Sequence, residues 1–138
     1  MLGSIEMECR NQGFGMMLVC SYGRKDEETT GIKRLRELGV SGIIIMCVHD
    51  ENYSESILEM AVQHFPVVTI DRRLKGVPIS FVGTDNEAAS RELARYLLDR
   101  GYRKTCFVKP HAAETSTLQE RIQGFKKAYN DYGLFAYP

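Results

Sequence analysis

A chain of 138 residues with 43% hydrophobic and 26% charged side chains has the composition of a soluble globular domain, or of part of a larger one. Disordered and collagen-like polymers are excluded. Eighteen Lys+Arg balance eighteen Asp+Glu, so zero formal net charge leaves no cationic surplus for the counterion release behind most nucleic-acid affinity, and a free-standing DNA binder is not expected. The longest apolar run, residues 42–48, falls far short of the roughly 20 residues of a membrane helix, and residues 1–6 do not open a signal peptide. A cytoplasmic protein with no membrane partner is the expectation.

Taken in order, residues 4–12 read as the end of a helix closed by Gly13, and residues 15–20 as a buried strand. Residues 25–38 place Ile32, Leu35 and Leu38 on one helical face, with Gly39 as the stop. Residues 42–48 form the next strand. Ser54 is placed to cap a helix carrying Ile57, Leu58, Ala61 and Val62 at core spacing, and Pro66 terminates it because proline cannot continue the hydrogen-bond ladder. Residues 67–70 are a short buried strand, and residues 79–82 a fourth strand. Thr84-Asp85-Asn86-Glu87 offers a capping box, opening a helix with a stripe of Ala89, Leu93, Ala94, Leu97 and Leu98 that ends at Gly101. Residues 105–108 make a fifth strand. Ser116-Thr117-Leu118-Gln119 then caps a helix whose Leu118, Ile122, Phe125, Ala128 and Tyr129 face a core. Strand-length apolar runs alternating with capped helices predict an α/β fold: a parallel sheet with helices on both faces.

Chemistry-bearing motifs are sparse. GxSxG, GxxxxGK[ST], HExxH and GxGxxG are all absent, so no enzyme is expected, and no cofactor or metal site is expected either. His49, His64 and His111 read as surface or helix-end histidines, and Asp50-Glu51 as a carboxylate pair or as acids leading into a helix dipole. Cys9, Cys20, Cys47 and Cys106 contain no CxxC and read as reduced thiols packed as small hydrophobes. In open parallel sheets ligands sit beyond the carboxyl ends of the strands. Those ends are Ser21-Tyr22, His49-Asp50, Asp71-Arg72, Asp85-Asn86 and the loop of residues 110–117. Position alone leaves Asp71-Arg72 open between a binding rim and a local ion pair, and Asp85 open between a contact and a helix cap.

Four segments in register carry a resemblance. Gly39-Val40-Ser41-Gly42-Ile43-Ile44-Ile45, Phe65-Pro66-Val67-Val68-Thr69-Ile70-Asp71-Arg72, Val82-Gly83-Thr84-Asp85-Asn86 with the later Gly101-Tyr102-Arg103-Lys104, and Arg121-Ile122-Gln123-Gly124-Phe125 together resemble the effector-binding core of the LacI/GalR transcription regulators. That resemblance implies a periplasmic-binding-protein-like (type I) fold in which two lobes flank a cleft. A small molecule, commonly a sugar or related metabolite, closes it and shifts the affinity of a dimer for DNA. Residues 1–102 map to most of the first lobe and 103–138 to the first strand and helix of the second.

By the same resemblance Arg121 matches an effector-contacting arginine, whose forked donors suit vicinal hydroxyls or a carboxylate. Thr115 and Thr117 match polar contacts from the same loop, Asp71 and Arg72 a polar rim, and Asp85 and Asn86 a further contact. The family's first strand, its DNA-binding head and much of the second lobe have no counterpart in these residues, so an incomplete sensor is expected, joined to DNA only through a head outside this chain. A sheet without its central strand leaves backbone groups unpaired at roughly 1–3 kcal/mol each, which implies rearranged pairing or exchange with a second copy in a homo-oligomer. The competing expectations are a periplasmic sugar receptor of a transport system and a flavodoxin-like enzyme or signalling domain.

Overall fold

Runs of β-branched residues bounded by turns pair as parallel strands when helices return the chain to the same edge. The computed structural model, which describes residues 1–48, 54–109 and 115–135, shows this for three of the runs. Its elements are α1 (Leu2–Asn11), α2 (Lys25–Glu37), β1 (Ile43–Ile45), α3 (Glu55–Val62), β2 (Val67–Ile70), β3 (Ser80–Val82), α4 (Asn86–Asp99) and α5 (Ser116–Asp131). The strands lie in the order β1-β2-β3, all parallel, with Ile45 opposite Thr69 and Thr69 opposite Phe81.

Strand parity sets which residues reach the core. Ile43, Val67 and Cys47 are buried with Ile32 of α2 and Ile57 and Met60 of α3, and Leu74 closes the same cluster. Arg36 fastens the two helices, donating to Gln63 and lying 5.6 Å over the Phe65 ring. The residues of opposite parity stay outside: Ile44 is 49%, Met46 53% and Val82 63% exposed.

A second cluster lies apart from the first. Ala94 and Leu98 of α4 pack on Ala128 and Tyr129 of α5, with Phe125, Tyr132 and Leu134 against them. The helices approach closely because α5 presents Gly124 at the crossing. A Cβ there would meet the Glu87 carbonyl oxygen at 2.1 Å and the Arg91 nitrogen at 3.0 Å. Ser90 Oγ donates to the Arg121 carbonyl at 2.6 Å, and Arg91 pairs with Asp131 at 2.7 Å along the edge.

Several expectations need correction. Residues 15–20 do not form a buried strand: this stretch is exposed, with Leu18 at 61%, and Val19 lies against α2 at Gly31. Residues 105–108 are not a strand either. Thr105 N–H donates to the Tyr129 hydroxyl at 3.2 Å and Phe107 meets Phe125 edge-on at 5.8 Å, so this segment is held by α5. Both runs have strand-like residues but no neighbouring strand among the described residues, and a ladder needs two partners. For the same reason Cys20 and Cys106 are exposed; Cys47 alone is a buried thiol, and none of the four cysteines is in a disulfide. In α4, Ala89 and Leu93 face outward, Leu93 at 64% exposure, because the helix turns Asn86, Ala94 and Leu98 toward α5. Ser54 occupies the N-cap position of α3, but its hydroxyl makes no capping bond.

Candidate functional site

The carboxyl ends of β1 and β2 form one polar group. Asp71 follows β2 with φ 63°, a left-handed conformation that aspartate tolerates better than most residues, and its N–H donates to the Val82 carbonyl at 3.0 Å. This bond ties the corner after β2 to the end of β3 and leaves Asp71 exposed. Arg72 turns back over β1, where its Nη1 donates to the carbonyls of Cys47, at 2.8 Å, and Val48. The Val48 N–H in turn donates to Glu28 Oε2 of α2 at 2.6 Å, and Glu28 is only 7% exposed. One peptide is thus held on both sides by opposite charges.

The second group joins α4 to α5. Asp85 caps α4, its Oδ1 accepting from Ala88 N–H at 2.9 Å, so the carboxylate performs the capping role that its position allowed. Asn86, 2% exposed, is the hub. Its Oδ1 accepts from Arg121 Nε at 2.8 Å, and its Nδ2 donates to the Thr84 carbonyl at 3.1 Å and to Glu120 Oε2 at 3.2 Å. Thr115 caps α5, its Oγ1 accepting from Leu118 N–H at 3.3 Å and lying 3.0 Å from Thr117 Oγ1. The helix therefore begins one residue earlier than its Ser-Thr-Leu-Gln pattern suggests. Thr117 is nearly buried at 9%, whereas Arg121 is exposed beyond its Nε contact.

The structure thus brings Asn86, Arg121, Thr115 and Thr117 to the start of α4 and α5, and Asp71 and Arg72 to the strand ends. Among the described residues no hydrogen bond or ion pair joins the two groups. Glu28 and Glu120 are the residues sequence reasoning missed. Glu28 was hidden by its place in an acidic first helical turn, which reads as a dipole partner. Glu120 was passed over beside Arg121, although a buried asparagine needs such acceptors.

His64 sits just beyond α3 with φ 52° and is exposed, in keeping with a helix-end histidine; His49, His111 and the Asp50-Glu51 pair lie outside the described residues. An open depression of about 490 Å³ is lined by Arg73, Leu74, Lys75, Gly76, Val77, Ile79 and Phe81, none of them an expected site residue. No cluster of three metal-ligating side chains, and no helix long and apolar enough to cross a membrane, occurs among the described residues. Around Asn86 the start of α4 and the first turns of α5 thus gather hydrogen-bond donors and acceptors in one network.

The chain is similar in sequence and fold to known proteins. The transcriptional repressor PurR of Vibrio vulnificus is 29% identical over 135 residues, which are 96% of this chain and 39% of that protein. The regulator PtxS of Pseudomonas plecoglossicida is 28% identical over 123 residues, 88% of this chain and 35% of that protein. The crystal structure of the Cra dual regulator from Pseudomonas putida, solved with fructose 1-phosphate, superimposes with a TM-score of 0.81 at 27% identity, covering 95% of this chain and 48% of that one. The chain thus spans well under half the length of these two curated relatives. The family described as periplasmic binding proteins and sugar-binding domain of the LacI family matches residues 1–138, and the chain belongs to it.

Proposed function

We propose that this chain is the effector-sensing part of a LacI-family transcription regulator, binding a sugar or related polar metabolite between two lobes and thereby tuning DNA binding by a head domain outside these residues. The observation that carries this reading is the Arg121 guanidinium, anchored at Nε by Asn86 at the start of α4 and otherwise exposed. A side chain with rigid forked donors, oriented and accessible, suits bidentate recognition of hydroxyls or a carboxylate. In this reading Thr115 and Thr117 contact the ligand beside Arg121, Asp85 and Asn86 support that side of the cleft, and Asp71 and Arg72 line the other. Relatives that are repressors favour a cytoplasmic regulator over a transport receptor, and no catalysis or cofactor belongs to the proposal.

The lobe boundary follows the cores. Because α4 shares its buried residues with α5 and not with the sheet, we place the division at residues 83–85, not at residue 102. The dimeric state remains part of the proposal, with light scattering as its check.

Titration calorimetry of the purified protein against sugars, sugar phosphates and nucleobases tests the reading. At least one compound is expected to bind, with affinity reduced about tenfold or more in Arg121→Ala, the size of loss that follows removal of a charged hydrogen-bonding group. An identified ligand that binds Arg121→Ala as tightly as the native protein contradicts it.

A further inference from the structure

Asn86 belongs to the expected ligand contacts, yet its surroundings assign it a different task. The side chain is 2% exposed, both amide hydrogens are committed, to the Thr84 carbonyl and to Glu120 Oε2, and Oδ1 accepts from Arg121 Nε. These partners admit one orientation of the amide only. Turning it over would set Nδ2 against the guanidinium, donor against donor, and Oδ1 against a carbonyl and a carboxylate. The orientation of Asn86 therefore dictates where Arg121 Nε must sit.

An arginine offers a planar fork two ways: side-on through Nε and one Nη, or end-on through both Nη nitrogens. With Nε taken by Asn86, the side-on pair is closed and the end-on pair is presented. We propose that Asn86 is a positioning residue that touches no ligand and holds Arg121 so that it receives one end-on, through Nη1 and Nη2. The inference deepens the functional reading above, on which only its ligand half depends. Glu120 completes the device, since its carboxylate accepts from Asn86 and fixes the amide on the side opposite Arg121.

The test has an arm that needs no ligand. In nitrogen-detected NMR of the native protein, with Arg121→Lys used to assign the signal, the Arg121 Nε–H is expected to exchange with water at least about tenfold more slowly than that of exposed Arg10. In Asn86→Leu the protection is expected to vanish. In Asn86→Asp combined with Glu120→Gln it is expected to return at least in part, because an acceptor again faces Nε while only the Thr84 carbonyl loses its donor. An unprotected Arg121 Nε–H in the native protein overturns the proposal without any variant, which keeps it refutable even if Asn86→Leu does not fold. With a sugar found by calorimetry, affinity should fall about tenfold in Asn86→Leu and recover in the double variant, and unchanged affinity beside lost protection overturns the positioning role. A protected native signal in a protein that binds no compound of the panel would instead sink the functional reading and leave the Asn86–Arg121 lock standing.

Discussion

The α4–α5 pair and the three-stranded sheet reach stability by different routes. The helices close their own core: Gly124 lets the backbones meet, Leu98 and Ala128 are fully buried, and the pairs Arg91–Asp131 and Lys127–Glu87 edge the contact. The sheet covers one face with α2 and α3, while Ile44, Met46 and Val82 and the neighbouring Met17 and Leu18 remain exposed. Each helix satisfies its interior main-chain hydrogen bonds within itself, with Asp85 and Thr115 capping the two starts. A strand depends for its ladder on a neighbour and, in this architecture, on cover for both faces.

Substitutions can break or sharpen this contrast. Gly124→Leu should be the most damaging, because its side chain would be driven into the Glu87 backbone of α4. A loss of about 4 kcal/mol or more in chemical denaturation is expected, beyond the usual range for overpacking because rigid main chain cannot yield. Leu98→Ala should cost about 2–5 kcal/mol, since Leu98 has no exposed surface, whereas Leu18→Ala in the unpaired segment should change stability by no more than about 0.5 kcal/mol. Equal effects at the two leucines would contradict the division into a closed helix pair and an open sheet flank. Asp85→Ala removes the cap of α4 and should lower stability by about 1 kcal/mol, with the serine variant largely restoring it.

The smallest expected effect is pH-dependent. Tyr132 donates its hydroxyl to Asp99, and this bond, helped by desolvation and opposed by Arg95, raises the phenol above its ordinary value of 10.0. A raised folded-state pKa favours the protonated phenol, so the contribution is complete below the ordinary value and disappears as pH rises through the raised one. Melting curves of native protein and Tyr132→Phe should differ slightly at neutral pH and converge in strong alkali. The exposed setting keeps the difference small.

Local signals in the sequence were read well at some helix ends and not at others, since Ser54 makes no capping bond and Thr115, not Ser116, caps α5. The Asp85 cap and the termination of α3 before Pro66 are among those read well. Residues 15–20 and 105–108 misled because apolar composition measures fitness for a ladder, not the presence of a neighbour. The sequence drew attention to Arg121 through its motif, but not to the contacts that surround it. That Asn86 aims Arg121, that Thr115 is spent on a cap, and that Arg72 reaches back to Cys47 and Val48 all depend on contacts between elements distant in sequence. Gly124 shows the reverse case: the glycine of the Arg-x-x-Gly-Phe motif has a packing reason that appears only once α4 is laid against α5.

A crystal structure of the protein with a compound selected by calorimetry tests the effector site most directly. Ligand oxygens should lie within about 3 Å of both terminal nitrogens of Arg121, with Asn86 still accepting from Nε. A ligand seated elsewhere, with Arg121 in open solvent, would contradict the assignment of this site.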